Sequence, residues 1–264
     1  MKVDLHLHSS FSFDGKADMA AVCQAAAEKG FAEICFTEHT SVNLETCPTY
    51  YALDYAEYAR QIDVMRDRYA GRLRIQMGIE LCEPHAKPPE MDLWMKGKPF
   101  DVVLGAVHNL DGLSLRRYAA AHTAAEAYSR YFEEEMRLAK HADMDVLAHL
   151  DLMKRYAFAP HGNYGFADYC EIITEILKVI LQRGIALEVN TSGLRNDVRE
   201  LFPKLEILTA YRQMGGERIT LGSDAHTLQD MGHGLQETQT LLRSLGYGYI
   251  CVFENRTPRM IALA

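Results

Sequence analysis

Short runs of aliphatic and β-branched residues alternate with longer amphipathic stretches along nearly the whole chain, and this alternation limits the possible folds most strongly. Strands joined by helices form parallel sheets, so the alternation predicts an α/β architecture. The runs predicted as strands are 2–6, 32–39, 74–81, 100–108, 145–151, 185–190 and 218–224. The stretches predicted as helices are 17–29, 53–71, 122–142, 167–183, 200–214 and 235–245. Seven or eight such units predict a TIM-like barrel.

The connections give little sign of a second domain. No internal repeat, low-complexity tract or interdomain linker interrupts the pattern, so we expect one domain over residues 1–264. A polar loop with Pro84, Pro88 and Pro89 is expected between strands three and four, and another loop after strand five. The run GYICVF follows the last helix.

Histidine and carboxylate residues occupy the ends of the predicted strands or follow them closely. In a TIM-like barrel the carboxyl ends of the strands carry the active site, so these side chains should meet. Imidazole and carboxylate together are the ligand set of a multinuclear metal site. The nine candidates are His6, His8, Asp14, His39, Glu80, His108, His149, Asp224 and His226.

Taken one at a time, these residues have ordinary explanations. His6 and His8 project to the same side of a strand and could bind one ion, but a pair of surface histidines is an equal alternative. A single histidine such as His108 is more often a hydrogen-bonded core residue than a ligand. Glu80 could be salt-bridged, or its two oxygens could bridge two cations. The coincidence at so many strand ends favours the metal site.

Composition excludes some partners. A net charge of −8 and an isoelectric point near 5.8 disfavour a nucleic-acid or anionic-membrane surface, although a local basic pocket for a phosphate remains compatible. The six cysteines form no CxxC pair, so we expect reduced, mostly buried thiols. The first residues contain no apolar stretch of signal-peptide length and no later segment resembles a membrane span, so a cytoplasmic location is expected.

The order and spacing of the candidates match a known pattern. Asp14 lies eight residues after His6 of the HxH pair, and the later motifs are TEH at 37–39, GIE at 78–80, VHN at 107–109, AHLD at 148–151 and SDAH at 223–226. The chain resembles the PHP (polymerase and histidinol phosphatase) superfamily, and the motifs span residues 6 to 226. The resemblance implies one PHP-type domain with a distorted (β/α)7 barrel.

Two further segments narrow the resemblance to the monofunctional histidinol-phosphate phosphatases of histidine biosynthesis. HLDLMKRY at 149–156 and EVNTSGLR at 188–195 place Arg155 and Arg195 after strands five and six. Family members of this kind bind the substrate phosphate with such arginines, and a guanidinium matches phosphate oxygens in bidentate geometry. A solvated surface arginine is an equal alternative for either residue taken alone.

The resemblance also implies how two or three divalent ions (zinc, manganese or iron) would be shared. One ion would take His6, His8, Glu80 and Asp224; a second would share Glu80 and add His108 and His149; a third would take Asp14, His39 and His226. Family members differ at the position of Asp14, where some have histidine. A carboxylate there should make the third site harder and more tolerant of manganese or iron.

The expected activity is metal-dependent hydrolysis of a phosphomonoester, with L-histidinol phosphate as the small-molecule substrate and with no nucleic acid or membrane partner. The catalytic candidates are Glu80, Asp224 and His226, of which the last two are nominal proton donors. Tyr118 and Ser9 are weaker substrate-binding candidates, and Trp94 could cover the site as a lid or simply anchor its loop. The alternatives are a PHP phosphoesterase for another small ester or nucleotide, and a non-catalytic metal-binding protein.

Overall fold

Eleven strands are present in the computed structural model, which describes residues 1–43 and 53–263. They are β1 (Val3–Leu7), β2 (Glu33–Thr40), β3 (Arg74–Cys82), β4 (Val102–Ala106), β5 (Asn109–Leu110), β6 (Leu113–Ser114), β7 (Val146–Leu147), β8 (Ala186–Asn190), β9 (Ile219–Gly222), β10 (Tyr249–Glu254) and β11 (Thr257–Ala262). Cys47 lies outside the described residues, and the other five cysteines are free thiols, four of them buried.

Nine α-helices connect or follow the strands of the described chain. They are α1 (Met19–Glu28), α2 (Tyr55–Arg68), α3 (Pro88–Met95), α4 (Leu115–Ala121), α5 (Ala124–His141), α6 (Met153–His161), α7 (Phe166–Arg183), α8 (Leu205–Gln213) and α9 (Leu235–Ser244). Short 3₁₀ helices cover Pro84–Ala86 and Ser192–Arg195. Among these helices, none combines the length and apolarity needed to cross a bilayer.

Seven strands form one parallel sheet in the order β1-β2-β3-β4-β7-β8-β9. The sheet nearly closes, because the His8 amide donates to the Ala225 carbonyl (3.0 Å) and the Asp224 amide donates to the His6 carbonyl (2.8 Å). Gly222 permits this approach, since a Cβ there would lie 2.3 Å from the His6 Cβ. The predicted α/β, distorted TIM-like barrel is confirmed, with β7 reduced to two residues.

The barrel strands are buried on both faces. All five residues of β1 and all eight of β2 are buried, as expected of parallel strands covered by helices on one side and by the barrel interior on the other. Large side chains from the helices, such as Tyr58 of α2 and Phe132 of α5, complete the packing outside the sheet.

Several local predictions were wrong. The expected polar loop between β3 and β4 contains the Pro84–Ala86 3₁₀ helix and α3, and the expected loop after β7 contains α6. The expected helix over 122–142 is confirmed as α5, which begins at Ala124 after a capping box of Thr123 and Glu126, but the separate α4 before it was not predicted. The expected helix over 200–214 begins only at Leu205.

Trp94 lies in α3 rather than in a loop. Its ring stacks on Phe100 with centroids 6.1 Å apart, and Phe100 lies two residues before the start of β4. This position is at the amino ends of the strands, opposite the carboxyl ends that carry the candidate ligands. The structure therefore supports an anchoring role for Trp94 and not a lid.

The run GYICVF belongs to an antiparallel hairpin formed by β10 and β11, not to an eighth strand–helix unit. The hairpin packs at the amino ends of the barrel strands. Its Arg256 pairs with Asp143 and Asp145, which directly precede β7, and its Arg259 pairs with Glu33 at the start of β2. The hairpin thus covers the end of the barrel that lies away from the candidate ligands.

Candidate active site

The nine candidate ligands, called here the ligand cluster, converge at the carboxyl end of the barrel. Seven of them line one cavity of about 430 Å³, called here the site cavity: Asp14, His39, Glu80, His108, His149, Asp224 and His226. His6 and His8 are buried directly against these residues. The barrel therefore brings all nine together, although Asp14 and Asp224 are separated by most of the chain.

Glu80 lies at the centre of the cluster, two residues before the end of β3. Its Oε2 lies 2.9 Å from His39 Nδ1 and 3.2 Å from His6 Nε2. Its Oε1 lies 2.9 Å from His149 Nε2 and 3.4 Å from His108 Nε2. The two oxygens of one buried carboxylate thus face two different sets of imidazoles. This is the arrangement that a ligand bridging two cations requires.

Asp224 lies with His6 and His8, and Asp14 lies with His226 and His39. Asp224 Oδ1 lies 3.4 Å from His8 Nε2 and 3.7 Å from His6 Nε2. Asp14 lies 3.3 Å from His226 Nε2 and 3.8 Å from His39 Nε2. The three sets implied by the family resemblance are therefore neighbours in space, and His39 touches two of them through its two ring nitrogens.

The ionisable groups of the cluster shift one another's pKa values in both directions. Burial opposes ionisation of Glu80 and Asp224, but the surrounding histidines outweigh it and hold both pKa values well below the usual carboxylate range. Burial lowers the pKa of His8 well below its usual range and that of His108 to about 3. Nearby carboxylates outweigh burial at His6, His149 and His226 and raise their pKa values, that of His226 to about 9. Metal binding at these three histidines would have to displace their protons. Ionised carboxylates and neutral imidazoles are the forms in which these side chains bind metals.

Unpartnered polar atoms also fit a metal centre. The Nε2 atoms of His6 and His8 lie only 3.1 Å apart, so two ring nitrogens converge on one point. Asp14 Oδ1 and His226 Nε2 are buried and form no hydrogen bond within the described residues. Buried polar atoms without partners are costly, and a bound cation would satisfy them.

Glu188 supports the cluster from behind, and the sequence reasoning missed it. Its Oε1 lies 2.5 Å from His6 Nδ1, and its Oε2 accepts a hydrogen bond from the His149 amide at 2.8 Å. A carboxylate on the far nitrogen of a ligating histidine fixes the ring orientation and raises its basicity. The available signal was a charged residue inside the apolar strand IALEVN.

A second supporting carboxylate, Glu38, orients the loop after β1. It accepts hydrogen bonds from the Ser9 amide (3.0 Å), the Ser9 hydroxyl (2.6 Å) and the Ser12 hydroxyl (2.5 Å). Ser12 Oγ in turn lies 3.1 Å from His8 Nδ1. Ser9 is fully buried and engaged with Glu38, so its position does not support the predicted contact with substrate.

His149 and Asp224 have left-handed backbone conformations, with φ of +23° and +52°. Such conformations in residues other than glycine cost of order 1–3 kcal/mol and persist where surrounding structure enforces them. The Glu188 contact to the His149 amide and the bond of the Asp224 amide to His6 supply that support. The two residues follow β7 and β9 at the turns where the chain leaves the barrel.

Both predicted phosphate-binding arginines line the site cavity. Arg155 is exposed there, with its guanidinium 5.5 Å from the ring centre of Tyr156, which also lines the cavity. Arg195 is more constrained, because it donates to the carbonyls of Ser223 (2.7 Å) and Asp224 (2.8 Å). Arg195 thus both faces the cavity and holds the segment that carries Asp224.

A buried ion pair fixes the helix that carries Arg155. Lys154 is fully buried, lies 2.9 Å from Asp151 and donates to the Leu201 carbonyl at 2.6 Å. Asp151 also accepts a hydrogen bond from the Tyr164 hydroxyl at 2.9 Å. A buried, hydrogen-bonded pair of this kind sets the start of α6 rigidly, and the next residue, Arg155, is positioned with it.

One further predicted residue lies outside the lining of the site cavity, and four residues of the cavity wall were not predicted. Tyr118 is buried in α4, stacks on His122 at 3.9 Å and is not among the residues that line the site cavity, so its position does not support a substrate contact. The sequence reasoning missed four polar or aromatic residues of the cavity wall: Tyr156, Ser192, Asn196 and Asp230. All four lie within six residues of a residue that was predicted, which was the available signal.

The chain is similar to proteins of one family. A family model of the PHP domain matches residues 4–192, which excludes only Arg195, Asp224 and His226 of the residues discussed as ligands or phosphate-binding arginines. A histidinol-phosphatase of Lactococcus lactis is 27% identical over 96% of this chain and 94% of that protein. A probable histidinol-phosphatase of Clostridium acetobutylicum is 31% identical over 88% of this chain and 89% of that protein.

A solved structure shares the fold along its full length. The crystal structure of a histidinol phosphate phosphatase from Lactococcus lactis, complexed with zinc, L-histidinol and phosphate, matches with a TM-score of 0.90 at 26% identity. The match covers 98% of this chain and 98% of that one. With the family model matching most of the chain, these findings show that the chain belongs to the PHP family.

Proposed function

We propose that this protein is a metal-dependent phosphomonoesterase that hydrolyses L-histidinol phosphate. One observation carries the proposal: Arg155 and Arg195 line the same cavity as the ligand cluster. A cavity that combines cation ligands with guanidinium groups suits a phosphate ester, even in a protein of net charge −8. The relative that was solved with zinc, L-histidinol and phosphate supports the choice of ester.

The ligand cluster and the two arginines have different roles in this reaction. Divalent ions held by the cluster would supply Lewis acidity and a nucleophile made from water at neutral pH. Glu80, with its two oxygens facing different histidine sets, would hold two such ions, and Asp224 and His226 would complete the cluster. Arg155 and Arg195 bind and orient the phosphoryl group and stabilise the charge that develops on its oxygens.

We propose two or three ions, with zinc the first choice because zinc is present in the related structure. The carboxylate of Asp14 in the third set favours harder ions such as manganese or iron at that position. The free thiols of the described cysteines support a cytoplasmic location.

The first test is a comparison of substrates. Purified protein is loaded with zinc, manganese or iron, and kcat/KM is measured for L-histidinol phosphate and for a generic aryl phosphate. We expect a clear preference for L-histidinol phosphate. Equal or better turnover of the aryl ester would reject the proposed substrate, and less than one equivalent of bound metal without activity would reject the enzyme.

The second test removes one arginine. Arg155→Ala should raise KM and lower kcat/KM about 10- to 100-fold, the usual effect of losing a hydrogen bond to a charged group. Metal content should not change, because no hydrogen bond or ion pair joins Arg155 to the ligand cluster in the described residues. Arg117→Ala, an exposed arginine of α4, is the matched control. Unchanged kinetics in Arg155→Ala would remove that residue from the phosphate site.

A further inference from the structure

The wall of the site cavity beside Arg195 has polar groups that neither the ligand cluster nor the phosphate uses. Four carboxylates line the cavity: Asp14, Glu80, Asp224 and Asp230. Of these, only Asp230 stands outside the ligand cluster, among the described residues. A carboxylate at this point is unfavourable for binding a phosphate dianion, so it requires another explanation.

Asp230 lies directly beside the phosphate-binding arginine. Its Oδ1 is 3.5 Å from Arg195 Nε, and its Oδ2 accepts a hydrogen bond from the Thr227 hydroxyl at 2.9 Å. The side chain is about one third exposed (33%), so a ligand in the cavity can reach it. Within the described part of the chain, Oδ1 accepts no hydrogen bond and can take a new donor.

Ser192 gives an independent sign of a ligand at this wall. It begins the 3₁₀ helix that ends at Arg195, and it lines the same cavity. The residue is 1% exposed, and its hydroxyl forms no hydrogen bond with any described residue. A buried hydroxyl without a partner is costly, and a ligand group that hydrogen-bonds to it would remove that cost.

The chemistry of the proposed substrate supplies such a group. L-Histidinol phosphate carries an ammonium group on the carbon next to the ester-bearing carbon, so the ammonium must lie close to the bound phosphate. With the phosphate on Arg195, a carboxylate in contact with that arginine is placed to meet the ammonium. The Ser192 hydroxyl, on the 3₁₀ helix that ends at Arg195, can accept a second hydrogen bond from the ammonium.

We propose that Asp230, assisted by Ser192, binds the ammonium group of the substrate and makes the cavity selective for phosphate esters of amino alcohols. The inference rests on the proposed function, because it deepens the substrate assignment of the same cavity. The competing explanation is that Asp230 only orients the Arg195 guanidinium. In that case its loss would affect every phosphate ester equally.

The test compares two esters that differ only in the amine. Wild type, Asp230→Asn and Ser192→Ala are loaded with zinc, and kcat/KM is measured for L-histidinol phosphate and for 3-(imidazol-4-yl)propyl phosphate, which lacks the amine. We expect Asp230→Asn to lose about 10- to 100-fold on the amine ester, mainly through KM, and less than about 2-fold on the other. Ser192→Ala should show a smaller loss with the same selectivity.

Asp197→Asn, an exposed residue near the same 3₁₀ helix, is the matched control and should behave as wild type. Metal content and Tm establish that each variant folds. Equal losses on both esters would overturn the inference and make Asp230 a positioning residue for Arg195. No loss on either ester, or a wild type that does not prefer the amine ester, would overturn it too. If wild type hydrolyses only the aryl phosphate of the first substrate test and neither imidazole ester, the proposed substrate fails, and this inference fails with it.

Discussion

At the scale of single residues, the orientation of the candidate ligand His6 depends on a carboxylate that lies on another strand. Glu188 of β8 contacts the ring nitrogen of His6 that faces away from Glu80. Glu188 and His6 are 182 residues apart, yet their side chains meet at 2.5 Å inside the barrel.

Glu188→Gln tests this support. The variant keeps the shape of the side chain but removes the charge that fixes the His6 ring, so metal affinity should fall about 10- to 100-fold. Competition with a chelator measures the change, and kcat/KM at limiting metal should fall in parallel. Glu33→Gln replaces a buried glutamate at the opposite end of the barrel and serves as control. Equal metal affinity in the two variants would mean that Glu188 only fills space.

At the scale of elements, strands and long helices were predicted well because each has its own periodicity of apolar residues. The short α6 was missed, since it has nine residues, a proline in its last turn (Pro160) and buried polar groups that only the fold pairs. The long α5 was predicted, but not the burial of its Glu135. That carboxyl group is fully buried, and the neighbouring Tyr131 hydroxyl only partly offsets the cost of its ionisation.

Glu135→Gln should make the protein more stable at neutral and alkaline pH. Burial, with nearby Glu134 and Asp151, outweighs the opposing effect of the Tyr131 hydroxyl and raises the pKa of Glu135 well above its usual value. The folded state therefore binds this proton more tightly, and wild type loses stability as pH rises from the unfolded-state pKa, about 4.5, through the higher folded-state pKa.

The measurement is Tm against pH. The variant should melt a few degrees above wild type at pH 8, where about 1 kcal/mol corresponds to roughly 2–4 °C in a protein of this size, and the gap should narrow towards pH 5. Glu133→Gln on the exposed side of α5 should show no such trend. A Tm difference between Glu135→Gln and wild type that stays constant with pH would contradict a raised pKa of the buried Glu135 carboxyl group.

At the scale of the whole molecule, the two ends of the barrel have different tasks. The carboxyl ends carry the site cavity, while the β10–β11 hairpin covers the amino ends through ion pairs of Arg256 with Asp143 and Asp145. Asn255 and Arg256 both have positive φ, as a two-residue hairpin turn requires. This arrangement separates the groups that stabilise the barrel from the groups that bind ligand.

Arg256→Ala should therefore reduce stability and spare catalysis. Losing charged hydrogen bonds at a partly exposed site should cost about 1–2 kcal/mol of unfolding free energy, with kcat and KM unchanged. Denaturant unfolding measures the first quantity and steady-state kinetics the second. Arg243→Ala, an exposed arginine of α9, controls for loss of surface charge. A fall in kcat would show that the two ends of the barrel are coupled.

The sequence by itself determined the alternation of strands and helices, the barrel class and the identity of the nine candidate ligands, because these follow from local periodicity and residue type. Only the tertiary structure decided which ligands are neighbours, that Glu188 supports His6, and that Asp230 lies beside Arg195. Those contacts join residues far apart in the chain, such as His6 with Asp224. The contact of His6 with Asp224 exists only because the barrel closes between β1 and the end of β9.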